Sequence, residues 1–238
     1  MPDLDYAAYL EHSAAMLLER LTEEASHRYE VFWSGPGQAR VRASSHPGIA
    51  VLAEPCPVAE AEVRRGLEAV QAGLVRVPGF IPVPPESFHL ALAPLLSGPE
   101  FEGAARAQLA ALHEGLAGVF ARREARTLKG RIIGFGTLPG SVVAVVTFSE
   151  EDYGFITRLR SEIYTALERQ VERPQGAFQG HITLGCMVSP PGDHLERGLR
   201  PYRSLYGGWE FGIRGAGLYS FADLSAYCPV GPRLPRLG

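Results

Sequence analysis

Two segments of this chain carry the same pattern, a histidine set among alternating residues in an apolar stretch: Phe88-His89-Leu90-Ala91-Leu92 and Gly180-His181-Ile182-Thr183-Leu184. Side chains of an extended strand alternate between its two faces, so residues two apart look the same way. The pattern predicts that His89 shares a face with Ala91, and His181 with Thr183. Phe88, Leu90, Leu92, Ile182 and Leu184 turn to the other side and build a core. Each segment is then an apolar wall with one imidazole on its polar face. Two such walls predict a fold that brings them together, because one imidazole can take a proton while the other gives one.

Composition narrows the setting. The 238 residues are 46% hydrophobic and 21% charged, ordinary values for a globular chain with room for a sizeable core. A net charge of −3 argues against a surface that binds by global basicity, while leaving room for a local basic pocket. No apolar run approaches the ~20 residues that span a bilayer, so no membrane partner is expected. The acidic start Met1-Pro2-Asp3-Leu4-Asp5 lacks the basic region of a signal peptide and predicts a cytoplasmic location. Cys56, Cys186 and Cys228 are odd in number and far apart, which fits neither a disulfide framework nor a zinc spacing.

Periodicity predicts a duplicated α+β unit. A helix is expected over 5–25, strands at Tyr29 to Trp33 and Ile49 to Ala53, and a helix over 59–72. Pro78, Pro82, Pro84 and Pro85 form a stiff approach with regular pairing expected only after Pro85. The second half repeats the order: a helix over 103–122, an extended segment from Thr127 to Gly136, and a β-branched central strand from Ser141 to Phe148. A helix from Asp152 to Glu172, the histidine strand Phe178 to Val188, a short helix near 194–206 and one last strand from Trp209 to Tyr219 follow. Residues after Cys228 read as a frayed tail.

With both histidine segments placed, the chain resembles the two-histidine (2H) phosphoesterase superfamily, which includes cyclic nucleotide phosphodiesterases and 2′-5′ RNA ligase-like proteins. Its hallmark is a pair of His-x-Thr/Ser-x segments on two pseudo-symmetric lobes that face each other across a cleft. His181-Ile182-Thr183-Leu184 fits that hallmark fully, and His89-Leu90-Ala91-Leu92 fits at the histidine. The approach Pro84-Pro85-Glu86-Ser87-Phe88 and the run from Gly134 to Phe148 are similar to the family as well. The resemblance implies an α+β fold of two lobes of mainly antiparallel sheet with outer helices, over 46–225. It leaves 1–45 as an extension and 226–238 as a tail. Two departures stand out: Ala91 replaces a phosphate-binding hydroxyl, and Gly185-Cys186 follow where many RNA-acting members carry an arginine.

The resemblance further implies opening of a cyclic phosphodiester, most simply a ribose 2′,3′-cyclic phosphate on a nucleotide or RNA end. His89 and His181 are the expected acid and base, with Thr183 holding a nonbridging oxygen. Ser87 and Gln179, each two residues before a histidine, are candidates to replace the hydroxyl missing at Ala91. Arg131 and Arg203 are candidate phosphate ligands, and Tyr202 a candidate base or ribose contact. The other histidines pair with no carboxylate at ligand spacing, so neither a metal nor another cofactor is expected. Two other readings stay open: a module that binds a phosphorylated terminus without turnover, which Ala91 favours, and 2′-5′ end-joining by the reverse chemistry.

Overall fold

The computed structural model of the chain describes residues 4–18, 29–35, 38–43, 47–55, 58–122, 126–168, 170–171, 176–189, 193–202, 208–222, 227–231 and 234. In chain order these form α1 (Tyr6–Leu18), β1 (Tyr29–Gly35), β2 (Gln38–Ala43), β3 (Gly48–Glu54), α2 (Ala61–Leu74) and β4 (Phe80–Pro82). A 3-10 turn (Pro85–Ser87), β5 (Ala91–Ser97), α3 (Pro99–Phe120), β6 (Leu128–Leu138), β7 (Ser141–Thr147) and α4 (Glu150–Ala166) come next. The chain continues through β8 (His181–Met187), α5 (Asp193–Leu199), a second 3-10 turn (Arg200–Tyr202), β9 (Trp209–Ile213), β10 (Gly215–Phe221) and β11 (Tyr227–Pro229).

The strands make a β1-β2 hairpin and two antiparallel sheets, one ordered β11-β10-β3-β5 and the other β4-β8-β7-β6-β9. This is the expected α+β architecture, two sheet-built lobes with helices outside. β7, a run of valines and alanine buried along nearly its whole length, takes the centre of the larger sheet, where stiff β-branched side chains pack best. α2 turns Val63, Leu67, Val70 and Leu74 into the core shared with Ile182 and Leu184. α4 starts at Ser149, whose hydroxyl accepts the Asp152 amide at 3.1 Å, and three acidic residues occupy its first turn, where the helix dipole favours them. Among the described residues, no helix is long and apolar enough to cross a membrane.

Three local expectations fail, each because a distant partner overrides a local pattern. The prolines before the first histidine do not delay pairing: β4 runs antiparallel to β8, with Phe80 opposite Met187 and Pro82 opposite Gly185. The single strand expected from Trp209 to Tyr219 is two. β9 pairs with β6 and β10 with β3, so the chain leaves one sheet for the other at Arg214. Both sheets had an open edge there, and unpaired backbone groups are costly to leave. The expected tail is structured at its start, since Tyr227–Pro229 pairs with β10 and Leu234 is buried in the core.

The expected helix over 5–25 is described only as far as Leu18. α1 lies against the larger sheet. Tyr9 is fully buried, stacks on Tyr153 at 4.0 Å and donates its hydroxyl to the Val146 carbonyl. Met16 caps Val143 and Val145. Burial pushes the Tyr9 hydroxyl pKa well above the ordinary tyrosine value.

Candidate active site

β8 presents its histidine by the alternation expected. Ile182 and Leu184 are fully buried, while His181 and Thr183 are half-buried on the opposite face with Val143 and Val145, their register partners being Val145 for His181 and Val143 for Thr183. Gly180 sets the approach. A Cβ there would stand 2.3 Å from the Val146 carbonyl oxygen, so only glycine lets β7 and this segment close up.

His89 arrives differently. Pro85–Ser87 form a 3-10 turn, and pairing resumes at Leu90, which makes an antiparallel bridge to Ile182. Both bridge residues are buried, so their neighbours face the other way together. Antiparallel register then sets His89 opposite Thr183, and Ala91 opposite His181. Directly opposed Cβ atoms stand about 5 Å apart and the diagonal pair, here the two histidines, about 7–8 Å apart. On the other flank the Ala53 amide donates to the Leu90 carbonyl at 2.9 Å, and Leu52 pairs with Ala91. The two histidine segments are therefore where the two sheets join.

Each ring is held the same way. His89 Nδ1 is 2.6 Å from the Ser87 carbonyl oxygen, and His181 Nδ1 is 3.0 Å from the Gln179 carbonyl oxygen. A carbonyl only accepts, so Nδ1 carries the hydrogen and Nε2 is the basic atom of the neutral ring. The contact from each histidine to the residue two before it occurs in both lobes, although one segment comes from a 3-10 turn and the other from extended chain. Two similarly held imidazoles on one face, with a hydroxyl beside them, suit proton transfer at a tetrahedral anion.

The remaining expected residues divide. Ser87 is buried and its hydroxyl donates to the Pro84 carbonyl at 2.7 Å, so it serves the turn. The expectation of a cleft-facing hydroxyl assumed extended chain where the prolines instead form a helical turn. Gln179 contributes its carbonyl to His181, and its side-chain amide meets His12 of α1. Arg131 pairs with Thr147, which alternates with Val145 and Val143, so Arg131 stands on His181's face, on the strand beyond β7.

Tyr202 lies elsewhere. Its hydroxyl donates to the Ala69 carbonyl on α2, at 3.3 Å. α2 packs on the face of β8 that carries Ile182 and Leu184, so this tyrosine is behind the sheet from the histidines. It lines a cavity of about 800 Å³ with Arg76, His194 and Arg197 instead. Arg203 falls outside the described residues. Gly185 has a structural reason: a Cβ there would stand 2.5 Å from the Ile81 carbonyl oxygen of β4, leaving no room for an arginine. Among the described residues, no three His, Cys, Asp or Glu side chains cluster closely enough to hold a metal ion.

The smaller sheet adds residues that the sequence reading missed. Tyr227 of β11 packs against the His89 ring with centroids 4.0 Å apart. Ala91 faces a cluster of Ala50, Leu52 and Tyr219, with Phe221 and Tyr227 against it. Tyr219 donates its hydroxyl to Glu54 at 3.1 Å, and continuing the Leu52–Ala91 register by two residues sets Glu54 across from His89. Period-two alternation along Ala50-x-Leu52-x-Glu54 was the available signal for Glu54. Tyr227 had none, since its neighbour is met only across three strand pairings.

Comparison with known proteins gives a likeness of fold. No family model matches the chain, and no curated protein is similar to it in sequence. Among solved structures, a conserved protein of unknown function from Agrobacterium tumefaciens, ATU0111, superposes with a TM-score of 0.58 at 15% identity, over 83% of this chain and 88% of that one. TT0787 of Thermus thermophilus gives 0.53 at 19% identity, over 80% and 97%. Escherichia coli LigT, in a complex with 3′-AMP, gives 0.52 at 18% identity, over 78% and 96%. The chain has the fold of the 2H phosphoesterases.

Proposed function

We propose that this chain is a phosphoesterase that opens a cyclic phosphodiester, a 2′,3′-cyclic phosphate on a nucleotide or RNA end, with His89 and His181 as the acid–base pair. The carrying observation is the Leu90–Ile182 bridge, which puts both imidazoles, Ala91 and Thr183 on one face. The neutral ring takes a proton from water at Nε2 as the water oxygen bonds to phosphorus. The second ring, protonated, gives its Nε2 proton to the departing 2′ oxygen as the phosphorus–oxygen bond breaks. Each ring ends in the other's starting state, so a proton exchange with solvent resets the pair. Thr183 donates to a nonbridging oxygen and favours the charge that develops there. Arg131, on the same face, supplies longer-range positive charge.

The fold likeness supports phosphate-ester chemistry, and the structure of LigT with 3′-AMP is of a protein with this fold holding a phosphorylated nucleotide. Nothing in the proposed steps calls for a metal. The test is turnover of nucleoside 2′,3′-cyclic phosphates in the presence of a chelator, with wild type, His89→Ala and His181→Ala. Turnover by wild type and its loss in both variants is the expected result. Nucleotide binding without turnover would overturn catalysis and favour the binding module, for which the alanine at position 91 is the one supporting residue.

A further inference from the structure

The two walls of the cleft differ in charge, and the difference selects a substrate. β3, β5, β10 and β11, which make up the smaller sheet, contain no lysine or arginine. On the face shared with His89 they present Ala91, Tyr227, Phe221 and Glu54, all half-buried, over a floor of Leu52 and Tyr219. Glu54 is fixed there from two sides. Its Oε1 accepts the Tyr219 hydroxyl at 3.1 Å, and a Cβ on Gly217 would meet both that oxygen, at 2.8 Å, and the Tyr219 ring, at 2.6 Å. With Oε1 engaged, Oε2 is the acceptor for a donor arriving from the cleft. The opposite wall carries Thr183 on β8, while Arg131 stands two strands away on β6 with its guanidinium against Gly208.

An anion bound between the imidazoles therefore has a hydroxyl on one side, at Thr183, and an aromatic and acidic wall on the other. A nucleobase and sugar fit the second: they stack on tyrosine rings and offer hydroxyl or amino donors to a carboxylate. A further phosphate on that side would meet Glu54 with like charge and no basic side chain on these strands to offset it. We infer that the site takes a nucleoside bearing a single phosphate, and that Glu54, positioned by Tyr219, turns away substrates whose sugar carries a second phosphate, an RNA chain included. This inference rests on the proposed site and names its substrate class.

Equilibrium binding tests it without requiring turnover. Wild type should bind adenosine 3′-monophosphate at least about tenfold tighter than adenosine 3′,5′-bisphosphate. Glu54→Gln should bring the ratio to within about threefold by improving the bisphosphate. Tyr219→Phe, which releases the carboxylate without changing its charge, should weaken the monophosphate and leave an intermediate ratio. Equal wild-type affinities, tighter bisphosphate binding, or a ratio that Glu54→Gln does not move would each overturn the inference. Discrimination without hydrolysis of any cyclic phosphate would sink the catalytic reading and leave this one intact. Hydrolysis of a cyclic phosphate-ended oligonucleotide as fast as the mononucleotide would do the reverse.

Discussion

The two histidine strands occupy equivalent places but are built unequally. His181 follows an extended segment that only glycine at 180 permits, has a hydroxyl two residues on, and lies beside valines capped by α1. His89 emerges from a proline-initiated 3-10 turn, has Ala91 two residues on, and leans on Tyr227. What survives these differences is the Nδ1 contact to the carbonyl two residues back, at 2.6 and 3.0 Å. Ring orientation is thus shared between the lobes, and everything around the rings is not. On the proposed reading, one lobe holds the phosphate and the other what is attached to it.

The strongest way to break the comparison is to remove each ring. His89→Ala and His181→Ala should each lower kcat/KM by about 10²–10⁴, and the double variant should fall little further than either single one, because acid and base act as a unit. Additive losses in steady-state kinetics would mean that the rings work independently. Next come the unequal hydroxyl positions. Thr183→Ala should cost ten- to hundredfold, about 1.5–3 kcal/mol for a hydrogen bond to a charged group. Ala91→Thr should change kcat/KM by less than about threefold, since position 91, though on the imidazole face, packs against the Leu52 and Tyr219 cluster. A gain as large as the Thr183→Ala loss would mean that the two hydroxyl positions are equivalent.

Stability separates the lobes more gently. Gly180→Ala should destabilise by about 1–3 kcal/mol through overpacking against the Val146 carbonyl, read as a lower Tm. The corresponding place before His89 is Phe88, already a buried core residue. The smallest effect concerns α1, which packs on the larger sheet and α4. Tyr9 ionises far less readily folded than unfolded, so its burial stabilises the fold below pH ~10, where unfolded tyrosine is still neutral. That contribution falls as pH rises beyond it. Denaturant melts should show Tyr9→Phe less stable than wild type by about 1 kcal/mol at pH 8, for the lost bond to Val146, with the gap closing by pH 11.

Part of the candidate site's layout is legible in the sequence itself. Period-two alternation put His181 and Thr183 on one face and Ile182 and Leu184 on the other, as found. It misled at Ser87, because a run of prolines reads locally as extended chain while Pro85–Ser87 closes a 3-10 turn. It failed at Tyr202, whose aromatic ring close in sequence to the second motif lies behind the sheet on α2. Arg131 is a candidate by its charge, and only the β6-β7 register sets it on His181's face, with its guanidinium against Gly208. Tyr227 reaches the His89 ring, and Glu54 its sheet face, only through strand pairing and not through any sequence neighbourhood.

The sequence by itself determined which side chains could be polar tips on apolar strands, because alternation is a property of the chain's own geometry. The tertiary structure alone decided that Leu90 and Ile182 pair, that residues 209–221 split between two sheets, and that an aromatic and acidic wall stands beside one histidine. Those are choices among distant backbone partners. Any extended segment can satisfy its amides against any open edge, so the selection is made by how the whole core packs, and no local pattern encodes it.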